Sequence, residues 1–117
     1  MPRHMSFSKT IKQIYEKTKT ETMRMSWDKL VPGDIVIAVE KAQGLKRGEK
    51  VVKITPIRIK YKIETIVMDV SPENCIKEGF PEFTPLQFIE MFCNLNKCKP
   101  FDLVNRFAFE YISWDEI

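Results

Sequence analysis

Histidine is almost missing from this chain of 117 residues: His4 is the only one, and it stands close to the start. A catalytic histidine pair is therefore excluded, and a four-ligand zinc site would have to recruit carboxylates. Cysteine is scarce too. Cys75, Cys93 and Cys98 are odd in number, and four residues rather than two separate the last pair. That spacing predicts no metal centre and no cofactor, and reduced thiols in a cytoplasmic protein, with Cys93 in the core. No stretch approaches the ~18 consecutive apolar residues of a membrane span. The opening Met-Pro-Arg-His-Met-Ser-Phe holds no apolar run of the kind a secretory signal needs. Internal repeats, low-complexity tracts and linkers are absent as well.

What remains is a globular composition, 44% hydrophobic and 30% charged, enough for one domain with a packed core. A single domain is expected over residues 7–117, preceded by a flexible tail over residues 1–6. The net charge of +3 hides an asymmetry. Residues 1–62 carry 15 Lys/Arg and 6 Asp/Glu, hence +9; residues 63–117 carry 4 and 10, hence −6. A basic front half suits a polyanionic partner, and two halves that neutralise each other in the fold suit an ordinary solvated surface.

The periodicity is mostly that of strands. Ile11, Ile14 and Tyr15 share one face of an opening helix. Alternating β-branched residues predict a short strand over Thr20–Met25. Val31-Pro32-Gly33-Asp34 is a type II turn signature leading into a strand over Ile35–Val39. Gly44 and Gly48 frame a basic loop with Lys46 and Arg47, followed by a strand over Lys50–Thr55. From Ile57 to Glu64 the alternation is strict. Ile57, Ile59, Tyr61 and Ile63 face one way and Arg58, Lys60, Lys62 and Glu64 the other, which predicts a half-buried antiparallel strand with Tyr61 in the core.

Two helix starts follow. Ser71-Pro72-Glu73 combines an N-cap, a first-position proline and an early acid, and that helix should end at Gly79. Thr84-Pro85-Leu86-Gln87 carries a capping box, with Leu86, Ile89, Phe92 and Cys93 as its apolar face and Phe88 widening it. A closing strand runs over Val104–Ile112, with Phe107, Phe109 and Tyr111 on one side. Neighbouring strands with no βαβ unit fit an α+β, mainly β fold: a small closed barrel with an N-terminal helix and two short helices inserted before the last strand.

Three ordered segments resemble the ASCH domain family. Lys17-Thr18-Lys19-Thr20-Glu21-Thr22-Met23-Arg24 is similar to the family's Gly-x-Lys-x-x-Thr-x-Arg. Leu30-Val31-Pro32-Gly33-Asp34 is similar to its Leu-x-Pro-Gly-Asp turn. Lys77-Glu78-Gly79-Phe80-Pro81, the Thr84-led helix and the strand through Arg106 to Tyr111 complete the set, over roughly residues 7–112. The resemblance implies a PUA-like β-barrel with a cleft beside Lys19, and binding of RNA or a modified nucleoside. In one branch, amidohydrolases acting on acetylcytidine, matching positions make Lys19 the base, Thr22 the nucleophile and Glu78 the acid. Lys17 stands where the family has glycine, a position that implies a positive φ.

A threonine hydroxyl attacks only when a base takes its proton, and lysine is such a base only when neutral. Arg24, on the same strand face as Thr22, is placed to lower the Lys19 pKa, whereas pairing with Glu78 would raise it. The other reading of Lys19 and Thr22 is a salt bridge and a strand threonine, and of Glu78 a solvated helix end. Arg24, Arg58, Lys60 and Lys62 form a candidate phosphate-tracking stripe, and Trp27 a candidate stacking platform. Trp27 buried against the end of the barrel is the competing reading. Three functions compete with RNA binding: the amidohydrolase, a ribonuclease built without histidine, and a protein-interaction domain using an exposed patch of Phe80, Phe83 and Phe88.

Overall fold

The computed structural model describes residues 2–117. Five strands form one mixed sheet: β1 (His4–Ser6), β2 (Glu21–Arg24), β3 (Ile35–Val39), β4 (Lys53–Ile66) and β5 (Leu103–Tyr111). Their order across the sheet is β1-β3-β4-β5-β2. β1 runs parallel to β3, and the other pairs are antiparallel. The helices are α1 (Ile11–Tyr15), α2 (Pro72–Lys77) and α3 (Pro85–Asn96), with 3₁₀ turns at Val67–Asp69 and Trp114–Glu116. The fold is α+β, and no described helix is long and apolar enough to cross a membrane.

Four expectations change. The sheet is not closed into a barrel, because β1 and β2 are its two edges and no ladder joins them. A side chain crosses between the two edges instead, where Arg24 donates to the Ser6 carbonyl. The tail expected over residues 1–6 is, from His4 onward, the edge strand β1; Met5 is fully buried and pairs with Ala38. Met1 lies outside the described residues. The separate strands expected over Lys50–Thr55 and Ile57–Glu64 are one strand of 14 residues, and the second inserted helix is 12 residues long rather than short.

The strict alternation on β4 is broken by a bulge. Ile59 pairs with Phe109 but Tyr61 pairs with Ala108, so Lys60 has no partner on β5. One extra residue moves everything after it to the opposite face. Ile57 and Ile59 are therefore buried beside Phe107 and Phe109, whereas Tyr61 and Ile63 are exposed by about two fifths. The core position expected for Tyr61 is overturned by that residue count.

Two apolar clusters hold the molecule. The first gathers Met5, Phe7, Ile14, Leu30, Val36, Ala38, Ile57, Ile59, Phe107 and Phe109 on the inner face of the sheet. The second gathers Met23, Val67, Val70, Cys75, Phe88, Ile89, Phe92 and Val104 under α2 and α3. Both helix starts form as expected: Ser71 and Asn74 make a reciprocal capping box, as do Thr84 and Gln87. On α3 Phe88 is buried, in keeping with the widened apolar face, whereas Leu86, expected on that face, points to solvent. Cys75 is the fully buried thiol, and Cys93 is only half-buried.

Candidate functional site

β2 pairs with β5 on one side and has a free edge on the other. Along that edge Thr22 and Arg24 share one face, the face of their partners Phe107 and Asn105. Lys19 precedes the strand, after a turn in which Lys17 takes φ +61°. The left-handed conformation implied by the family's glycine is thus present, with lysine adopting it. Glu78 caps the C-terminus of α2, and Gly79 at φ +98° then reverses the chain. A side chain at Gly79 would approach Gln13 at 3.1 Å, so this turn is closed on both grounds.

These elements bring Lys19, Thr22, Arg24 and Glu78 to one cavity of about 440 Å3. Its remaining walls include Phe7 after β1, Phe80, and Phe88, Met91 and Phe92 from α3. The cavity thus lies in the gap where the sheet fails to close. Arg24 bridges that gap, donating from Nη2 to the Ser6 carbonyl at 2.7 Å and from Nε to Thr22 Oγ1 at 3.0 Å. Its guanidinium also lies 4.8 Å from the Phe7 ring centre.

The polar wall is almost dry. Lys19, Thr22 and Glu78 are each less than 5% exposed. Lys19 Nζ donates to the Glu78 carbonyl at 2.6 Å and to its Oε1 at 3.3 Å. The second carboxylate oxygen of Glu78, Oε2, is buried and has no hydrogen-bond partner among the described residues. Burial lowers the Lys19 pKa; the Glu78 charge opposes that fall, Arg24 adds to it, and Glu21 opposes it weakly. Burial also brings Arg24 down to about 10, again against the pull of Glu78. The solvated helix end considered for Glu78 is ruled out by this burial.

Four of the expected site residues converge here, and the others do not. Arg58 is held by Glu110 at 2.9 Å and Glu116 at 3.4 Å. Lys60 sits in the bulge, exposed. Lys62, beyond the bulge, shares a face with Phe107 and donates to the Asp28 carbonyl. The stripe expected from alternation is therefore dispersed over both faces. Trp27 is half-buried against the inner cluster in a loop where it takes φ +70°, and Arg3 covers its ring at 4.1 Å. The phenylalanine patch is not exposed: Phe88 is buried, and Phe80 and Phe83 stack on each other against the second cluster.

Sequence reasoning missed the aromatic wall. Phe88 and Phe92 read as the apolar face of a helix, and nothing local tells a residue that fills a core from one that borders a cavity. Among the described residues no group of three His, Cys, Asp or Glu side chains gathers as a metal site.

No family model matches the sequence. No curated protein matches it either. Among solved structures, the chain is similar to the crystal structure of protein EF3133 from Enterococcus faecalis V583, described under the family model DUF984. The two share 19% identity at a TM-score of 0.66, over 96% of this chain and 77% of that one. At that identity the likeness is one of fold.

Proposed function

We propose that this chain is an ASCH-type, PUA-like domain that takes a nucleoside, free or as one unit of an RNA, into the cavity between β2 and α3. The observation that carries this reading is the meeting of Lys19, Thr22, Arg24 and Glu78 in one concave site, across up to 59 residues of sequence. The size favours a single nucleoside over a strand, since about 440 Å3 falls within the ~300–1,000 Å3 of small-molecule sites. Phenylalanine rings on one wall suit the flat face of a base, and the cations and hydroxyl opposite suit its polar edge. The dispersal of Arg58, Lys60 and Lys62 takes support away from an extended RNA track along β4.

A second reading, hydrolysis of an acyl amide on a cytidine-type base, is favoured by the dry Lys19–Glu78 pair. Two charges in a low-dielectric site are costly. Passing one proton from Lys19 to Glu78 leaves a neutral amine and a carboxylic acid, with the proton count unchanged. The amine then accepts the Thr22 hydroxyl proton as Oγ1 bonds to the amide carbon. As the C–N bond breaks, Glu78 gives its proton to the departing amine. Water subsequently cleaves the threonine ester, releasing the carboxylic acid and restoring the hydroxyl.

The test is hydrolysis of acetylcytidine by the wild type beside Lys19→Ala, with cytidine binding measured calorimetrically on both. Turnover lost in the variant is the expected result for the hydrolase. Binding without turnover leaves the nucleoside reading alone, and absence of both at high protein concentration overturns it.

A further inference from the structure

The opposite face of β2 carries a second buried carboxylate. Glu21 is 2% exposed, yet it points away from the cavity, on the face of Ala108 and Arg106. Its Oε1 accepts from Asn74 Nδ2 at 2.9 Å and its Oε2 from the Tyr61 hydroxyl at 3.0 Å. Lys77 Nζ and Arg106 Nε stand 4.0 and 3.9 Å away, and that Arg106 nitrogen is buried with no hydrogen-bond partner among the described residues. Tyr61 comes from β4, Asn74 and Lys77 from α2, and Arg106 from β5.

The identity of those partners matters. Asn74 and Lys77 lie on α2, and the residue after Lys77 is Glu78. The Thr20 amide donates to the Lys77 carbonyl at 2.8 Å, and Lys19 Nζ donates to the Glu78 carbonyl. The segment that enters β2, Lys19 and Thr20, is thus tied twice to the end of α2 and its cap, at the carbonyls of Glu78 and Lys77. Tyr61 reaches Glu21 only because the bulge at Lys60 has turned it outward.

We propose that Glu21 is a positioning residue: from the far face of β2 it holds the last turn of α2 against the strand, fixing where Glu78 meets Lys19 and placing a fixed negative charge behind that pair. The proposal rests on the reading of Lys19 and Glu78 as the working pair of the cavity. The charged groups around Lys19 are Arg24 and Glu21 from β2 and Glu78 from α2. Those around Glu21 are Tyr61, Lys77 and Arg106.

The experiment follows the titration of Lys19 by NMR in protein labelled at lysine, with Lys19→Arg used to assign the signal. Glu21→Gln preserves the shape and removes the charge, and it is expected to move the Lys19 titration to lower pH. Lys77→Gln leaves Glu21 less compensated, and it is expected to move that titration to higher pH. A merely structural role would not produce shifts of opposite sign. Titration curves superimposable on the wild type in both variants would overturn the proposal. Lys77 is partly exposed, so Lys77→Gln should fold even where Glu21→Gln does not, and an unmoved Lys19 titration in it would by itself overturn the proposal. The readout needs no turnover, so an inert cavity and a wrong assignment of Glu21 give different results.

Discussion

The two apolar clusters are built from different material. Seven of the ten residues of the inner cluster come from strands β1, β3, β4 and β5, joined by Phe7, Ile14 and Leu30. The second is made of helix, 3₁₀ and strand-end residues, and its phenylalanines Phe88 and Phe92 also face the cavity. Six polar residues are buried among the described residues, and four of them, Lys19, Glu21, Thr22 and Glu78, lie where β2 meets α2. Polar burial is thus concentrated at the joint between a cluster that is filled and one that is left partly open.

The largest effects should separate the clusters. Phe107→Ala in the inner cluster and Phe88→Ala in the second should each cost ~3–5 kcal/mol in urea unfolding. Only Phe88→Ala also enlarges the cavity, so only it should weaken nucleoside affinity in the protein that remains folded. Equal loss of affinity in both variants would erase the distinction.

Next comes the joint itself. Glu78→Gln strands a buried ammonium and should cost ~3–5 kcal/mol near neutral pH. Without that carboxylate the Lys19 pKa falls further below its ordinary value, so the unfolded chain binds more protons over the interval between the two. Stability of Glu78→Gln should therefore rise with pH through that interval, more steeply than in the wild type. Urea midpoints at a series of alkaline pH values check the sign; a slope no steeper than the wild type would show that Lys19 is not charged there.

Smaller effects probe the helical wall. Thr84→Ala removes the reciprocal cap of α3 and should cost ~1 kcal/mol. Hydrogen exchange should report it in the first turn of α3 and not in β3 or β4. The smallest effect expected is at Lys17, where Lys17→Gly relieves a left-handed lysine but loosens the unfolded chain, for a net change within about 1 kcal/mol by thermal unfolding.

Legibility in the sequence follows the same division. β3 was readable to the residue from its turn and its β-branched run, and Ser71 and Thr84 announced their helices through local hydrogen bonding. Lys19, Thr22, Arg24 and Glu78 were readable as a set only through the ASCH resemblance, since no spacing rule links residue 22 to residue 78. Three features were not readable. β1 is three residues with one buried side chain, too short for any period to register. The Lys60 bulge depends on what β5 offers opposite, which is not local information. The outward Leu86 depends on the side from which α3 meets the sheet.

That bulge has a consequence for how this strand tolerates change in length. A strand has parity: its residues belong to one side or the other by odd and even count, and Lys60 is the place where the count is reset. Removing that single residue would leave Ile57 and Ile59 untouched while sending Tyr61 and Ile63 indoors and Lys62 out. The phenol would leave Glu21, and the ammonium would release the loop carbonyl of Asp28. A substitution at Lys60 alters one exposed side chain, whereas a deletion there would rewrite the lower half of the sheet.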